Sequence, residues 1–207
     1  MALDFLRDNK IGEKRKVGKE VIVIGGGNVA MDVAREALRL QNMQYSDEKV
    51  VTKTVSLEDW DIMPATEEEI EEAKAEGIQF NPGWGPKEVS VDEKGQVKGL
   101  LCMKVKSVFD DQGRFAPTFY EEKEMFLEGD MVIEAIGQAP DFSFIPRKFF
   151  DKFEFTAMQK VKIDQKGMTS IPGVFAGGDI VNTDLDAVTA IADAKLASEG
   201  IDRYLLR

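Results

Sequence analysis

EVIVIGGGNVAMDVAREALRL, from Glu20 to Leu40, is the stretch whose reading decides the fold. Val21 to Ile24 form a short apolar run of the kind buried on both faces in a parallel sheet. Gly25, Gly26 and Gly27 follow at once. From Asn28 the period changes: Val29, Val33, Ala37 and Leu40 recur every three or four residues, as on one face of a helix. Strand, glycine turn and helix in direct succession make the phosphate-cradling half of a βαβ unit. The pattern is G-x-G-x-x-A, carried by Gly25, Gly27 and Ala30. Gly25 suits the tight turn, Gly27 the close approach of a pyrophosphate, and small Ala30 the close packing of helix on strand. The helix start adds N–H groups and the positive end of its dipole. These features point to a dinucleotide. A methyltransferase also places glycines after its first strand, but this tight turn with alanine in third place favours the pyrophosphate. An incidental glycine turn is the plain alternative.

The rest of the composition narrows the field. At 207 residues the chain is long enough for one sizeable domain, or for one domain and a piece of another. A hydrophobic content of 43% and a charged content of 31% are those of a soluble globular protein. The net charge of −11 argues against nucleic acid and anionic membrane surfaces as partners. No apolar run approaches the roughly 18–20 residues that span a bilayer, and charges interrupt the N-terminus too often for a signal peptide. Cys102 is the single cysteine, so an internal disulfide, a CxxC redox pair and an iron–sulfur ligand set are all excluded; a cytoplasmic setting is expected. With no histidine, neither a His general base nor a His-ligated metal exists, and no metal site is expected.

Along the chain, residues 3–8 suit a short helix, and residues 1–19 as a whole read as a connector into the first strand. Gln41 to Lys49 is polar and reads as a loop, Val50 to Leu57 as a second strand. Thr66 and Glu69 have capping-box spacing and open a helix that stops at Gly77; the acidic run Glu67 to Glu72 reads as its solvated face. After a short strand at Ile78 to Phe80, three β-rich runs without helices (Lys87 to Val91, Val97 to Phe109, Tyr120 to Leu127) suggest an antiparallel meander. Met131 to Ile136 returns a buried strand to the sheet and ends at Gly137. The expected fold is therefore α/β and Rossmann-like, in three layers: a parallel sheet, helices and a β-meander. Residues 20–137 form the dinucleotide-binding domain. The tail, 138–207, has one short strand and one helix from about Asp186 to Leu205, too little for a core of its own.

Taken together, these stretches resemble the glutamate synthase small-subunit (β-chain) family of FAD-dependent pyridine nucleotide oxidoreductases. The matching motifs are GGGNVAMDVAREALRL (Gly25–Leu40), MPAT with its following helix (Met63–Phe80), GDMVIEAIGQAPD (Gly129–Asp141) and PGVFAGGD (Pro172–Asp179). The last is followed by AVTAIADAKLASEGIDRYL (Ala187–Leu205), so the match runs over nearly the whole chain in the family's order. A nicotinamide dinucleotide is expected at Gly25, Gly26, Gly27, Asn28, Val29, Ala30, Glu58, Ala135, Ile136 and Gly137. The resemblance implies also that residues 138–207 are the C-terminal part of an incomplete FAD-binding domain. There Gly178 would line the FAD site, Asp179 would meet the ribityl chain, and Ala187, Val188 and Thr189 the flavin pyrimidine ring. An N-terminal FAD-binding half, often preceded by an iron–sulfur module, belongs to the family and not to this sequence. FAD is thus expected only in a longer parent, with iron–sulfur or other redox partner subunits, and the 207-residue chain is expected to bind nucleotide but not FAD and to be inactive alone.

One departure bears on the cofactor. NADPH-using members of the family carry arginines shortly before MPA, where this chain has Ser56, Leu57 and Glu58. A carboxylate there accepts hydrogen bonds from a ribose 2′-OH and repels a 2′-phosphate, so NAD(H) is expected over NADP(H); the alternative is that Glu58 and Asp59 are ordinary loop acids. Hydride transfer between nicotinamide and flavin needs no side-chain acid, base or nucleophile, and no catalytic residue is expected. Asn28 reads either as a helix cap or as an amide near the phosphates. Gly137 either lets a cofactor ring lie against backbone or simply ends its strand. Cys102 reads as packing, Trp84 as a packing anchor or a lid. A non-catalytic docking module is the alternative to an oxidoreductase, and flavin in the full-length parent separates the two.

Overall fold

A computed structural model describes residues 1–13, 15–156, 158–183 and 186–206. The chain divides into two units, with the boundary between Gly137 and Gln138.

In the first unit, helix α1 (Ala2–Lys10) leads to strand β1 (Glu20–Ile24) and helix α2 (Asn28–Gln44), then to β2 (Val51–Ser56) and α3 (Glu67–Glu76). Strand β3 (Gln79–Pro82) is followed by β4 (Trp84–Val91), β5 (Val97–Phe109), β6 (Phe115–Glu128) and β7 (Met131–Glu134). The parallel sheet has the order β3-β2-β1-β7, with Val21 beside Thr52 on one side and Met131 on the other. Strands β4, β5 and β6 form the separate antiparallel meander.

Alternation along β1 sets the layers. Val21 and Val23 pack with Phe5, Val33, Ala37 and Ala73 of the helices, whereas Ile22 and Ile24 pack with Leu100, Cys102 and Leu127 of the meander. Both faces of the strand are covered, which is why its run is apolar without interruption. The three-layer α/β arrangement is the one expected.

Three local readings change. Residues 1–19 are more than a connector: α1 puts Ala2 and Phe5 into the helix-side core beside Val17. Helix α2 continues through the expected loop to Gln44, because Gln41 is buried with its amide fully engaged. Its Nε2 donates to the carbonyls of Gly18 (2.8 Å) and Val51 (3.2 Å), and its Oε1 accepts from Thr52 Oγ1 (2.7 Å). A buried amide is tolerated when so satisfied.

The third change concerns α3. Thr66 caps it, accepting from the Glu69 N–H at 3.4 Å, and Gly77 closes it in the left-handed conformation at φ 100°. The return half of the capping box is not made: the Thr66 N–H donates to Asn28 Oδ1 instead. Glu69 faces α2, where Arg35 reaches Glu69 (3.1 Å), Glu72 (2.5 Å) and Glu76 (2.6 Å). The acidic run is thus partly an ionic seam between helices.

The second unit holds α4 (Arg147–Phe150), a 3-10 turn at Gly178–Ile180 and the long α5 (Ala187–Leu205). Phe142, Phe150 and Phe155 pack on one another, tilted or edge-on, with ring centroids 5.2–5.6 Å apart. Val161 is the unit's only fully buried hydrophobic side chain among the described residues. Helix α5 begins at its expected place, capped by Asp186, whose carboxylate accepts from the Thr189 N–H at 2.7 Å. No helix among the described residues is long and apolar enough to cross a membrane.

Candidate dinucleotide site

Three chain segments meet at the carboxyl edge of the parallel sheet, where ligands of such sheets bind. The Gly25 N–H donates to the Val55 carbonyl of β2 at 2.9 Å, and the Ala135 N–H donates to the Ile24 carbonyl at 2.8 Å. The glycine turn therefore leaves β1 between the ends of both neighbouring strands.

Gly25 and Gly27 owe their identity to different things. Gly25 has φ 143°, and a Cβ there would lie 2.4 Å from the Ala135 carbonyl oxygen and 3.3 Å from Ala30 Cβ. The fold itself demands glycine at that position, and Ala30 is fully buried beside it. Gly27 is the N-cap of α2 with φ −91°, and a Cβ there would meet nothing within 4 Å. No internal contact requires it to be glycine. The helix it caps has no side-chain cap and no acidic residue in its first turn, so no residue of its own offsets its positive end.

Glu58 lies against this turn. A Cβ placed on Gly26 would be 3.1 Å from its carboxylate and 3.0 Å from Ser56 Cβ. The Glu58 carbonyl is held from two sides, by Ser56 Oγ at 2.9 Å and the Gly83 N–H at 3.0 Å. Asp59 behaves differently: its carboxylate accepts from the Trp60 N–H at 2.9 Å and caps the short 3-10 turn Trp60–Ile62. Of the two adjacent acids, one faces the glycine turn and the other is an ordinary loop cap.

Asn28 does not cap α2, since Gly27 does. Its Oδ1 accepts from the Thr66 N–H at 2.8 Å, a contact across 38 positions of sequence that no local pattern announces. Val29, expected on the apolar stripe, is instead 40% exposed, whereas Val33 and Ala37 are buried. Beyond β7, Ala135 abuts Gly25, and Ile136 and Gly137 are exposed; Gly137 has φ 98° with open space where a side chain would be. The ten residues expected to hold the nicotinamide dinucleotide thus cluster around one sheet edge.

Cys102 and Trp84 lie outside that cluster. Cys102 is fully buried with Ile22 and Leu100, and burial pushes its thiol up to about 11. Trp84 opens β4 half-buried against the meander-side core, with Lys104 Nζ 5.3 Å from its ring centroid, which makes it an anchor.

The residues expected at a flavin lie in the second unit. Gly178 is buried at φ 76°, its N–H donating to Asp193 Oδ2 at 2.9 Å, an acceptor shared with Asn182 Nδ2 at 2.8 Å. Asp193 has no sequence signal, being one acid within a long helix. Asp179, Ala187 and Val188 are exposed. Thr189 has its N–H and its hydroxyl both engaged by Asp186.

A parallel sheet with helices on one face and an antiparallel meander on the other defines the Rossmann-like FAD/NAD(P)-binding class. Over residues 2–198 the chain matches the pyridine nucleotide-disulphide oxidoreductase family, and it belongs to that family. It is 39% identical over 204 residues to the NADP(+)-dependent formate dehydrogenase subunit beta of Moorella thermoacetica, covering 97% of this chain and 27% of that one. It is 32% identical over 218 residues to the glutamate synthase [NADPH] small chain of Azospirillum brasilense, covering 98% and 43% respectively. The structure superimposes on T. acidophilum thioredoxin reductase with a TM-score of 0.71 at 19% identity, over 98% of this chain and 56% of that one. The chain therefore spans less than half the length of these two sequence relatives.

Proposed function

We propose that residues 20–137 bind a nicotinamide dinucleotide, and that residues 138–207 are the C-terminal part of a FAD-binding domain. In this reading the chain is a module of a larger flavoprotein that passes electrons from the nicotinamide cofactor to flavin, and onward to iron–sulfur or other redox partner subunits. The nucleotide supplies the hydride and the protein supplies binding, orientation and exclusion of water. The observation that carries the proposal is the open space at Gly27 beside a helix N-terminus without a side-chain cap, at a position where nothing inside the fold calls for glycine. Gly178 and Asp179 are the residues this reading gives to the flavin, beside a helix start whose Val188 and Thr189 N–H groups both turn to the Asp186 carboxylate.

The proposal includes NAD(H) as the preferred nucleotide, because the Glu58 carboxylate lies against the turn that would hold the pyrophosphate. This would set the chain apart from its relatives, whose names carry NADP(+) or NADPH. Replacing Glu58 with Gln tests it: the ratio of NADPH to NADH dissociation constants should fall about tenfold, and an unchanged ratio removes Glu58 from the account. A cytoplasmic location is proposed from the lone buried thiol. A docking module without turnover is the second class, and a full-length parent free of flavin would establish it over the first.

A further inference from the structure

We propose that Asn28 is a positioning residue for nucleotide selectivity, acting through its tether to the segment that carries Glu58; this rests on the dinucleotide reading above. Residues 57–66 connect β2 to α3 with only the single 3-10 turn as regular structure. The segment is held at its start by the two hydrogen bonds to the Glu58 carbonyl. At its end it is tied back to the glycine turn twice. The Ala65 N–H donates to the Gly26 carbonyl at 2.9 Å, and the Thr66 N–H donates to Asn28 Oδ1 at 2.8 Å. Gly26 and Asn28 flank Gly27, so the segment is clasped on both sides of the position left open for a ligand. Pro64 completes the clasp, its Cδ 3.4 Å from a Cβ on Gly26.

The Asn28 amide does not serve its own helix, whose cap is Gly27. The residue is exposed, so burial does not force the hydrogen bond on it. Instead it takes the one N–H that a reciprocal capping box on α3 would have given to Glu69. With Oδ1 engaged by Thr66, the amide keeps its two N–H donors at the start of α2. Loss of the amide leaves the Ala65–Gly26 hydrogen bond as the segment's remaining tie at that end, so the carboxylate it carries is held less firmly against the turn.

The test compares Asn28→Ala, Asn28→Asp, Glu58→Gln and the Asn28→Ala/Glu58→Gln double variant of the 207-residue chain. Readouts are the NADH and NADPH dissociation constants and amide hydrogen exchange at Thr66. Asn28→Ala should lower the NADPH-to-NADH ratio about fivefold and speed Thr66 exchange by a similar factor. In the Glu58→Gln background the same change should move the ratio less than about twofold, since the two act through one carboxylate. Asn28→Asp keeps the acceptor, so Thr66 stays protected and the ratio holds while both nucleotides weaken together. Independent, multiplicative effects of Asn28→Ala and Glu58→Gln overturn the inference, as does unchanged Thr66 exchange. A wild-type chain that binds neither nucleotide overturns the functional reading beneath it, a failure told apart because Thr66 exchange reports the tether without nucleotide.

Discussion

A methyl group added at Gly25 and one added at Gly27 meet opposite surroundings, although both residues belong to one G-x-G-x-x-A pattern. At Gly25 it would lie 2.4 Å from a backbone oxygen, on a backbone with φ 143°. Gly25→Ala should cost about 2–4 kcal/mol of stability, measured by urea unfolding. At Gly27 it meets open space, so Gly27→Ala should leave stability within about 0.5 kcal/mol while weakening NADH binding at least about tenfold. Equal effects of the two on stability would contradict this division of labour. The glycines were legible in the sequence as a set, but only the geometry separates the one the fold requires from the one it does not. Cys102 offers a second residue-scale check. Burial holds its thiol neutral up to about 11 against an ordinary value of 9.0. The folded state keeps its proton longer than the unfolded chain, so the stability it contributes is full below pH 9.0 and is lost as pH rises towards 11. Thiol reagents at pH 8 should therefore modify it only as the chain unfolds.

Helices α2 and α3 are joined by a line of charge along α3 and by the Asn28–Thr66 hydrogen bond at their N-terminal ends. Glu69, Glu72 and Glu76 lie on one face of α3 and converge on Arg35, whose side chain is only 15% exposed. Arg35→Leu leaves three like charges stacked on that face and should destabilise the chain by about 1–2 kcal/mol. Burial raises the Glu76 carboxyl, but hydrogen bonds from Arg39 and Arg35 outweigh it and hold the group below its ordinary value of 4.5. A depressed folded value means stability that is present above pH 4.5 and is lost as pH falls through the folded value. The wild-type chain should lose more stability than Arg35→Leu between pH 5 and pH 3, and parallel curves would contradict the seam. The sequence shows an acidic run and an arginine 34 positions before Glu69, and no helical period connects them. Element types and order were readable because β1, the meander strands and α5 carry strong patterns. Misread stretches owe their form to tertiary partners: the Gln41 amide network, the packing of Phe5, and the competition for the Thr66 N–H.

The two units differ in how they are held. The first buries two apolar clusters on either side of its parallel sheet. The second buries Val161 alone among its described hydrophobics, and α5 leaves Val188, Ile191 and Leu205 at 78%, 59% and 75% exposure. Local opening should be easiest where buried apolar contact is least. Hydrogen exchange should show residues 138–206 exchanging well before β1 and α2, and uniform protection across the chain would contradict the separation. The chain's brevity against its relatives matters here, since it covers 27% and 43% of them. In the reading proposed above, a core shared with residues of a longer parent would account for the sparse one seen in the second unit. The first unit, by contrast, brings together every residue expected at the nicotinamide dinucleotide, and it can be tested as it stands. Calorimetric titration of the 207-residue chain with NADH, and separately with NADPH, measures this most directly. One nucleotide should bind per chain, with NADH at least about tenfold tighter. Tighter binding of NADPH would contradict the role given to Glu58, and no binding of either would contradict the site.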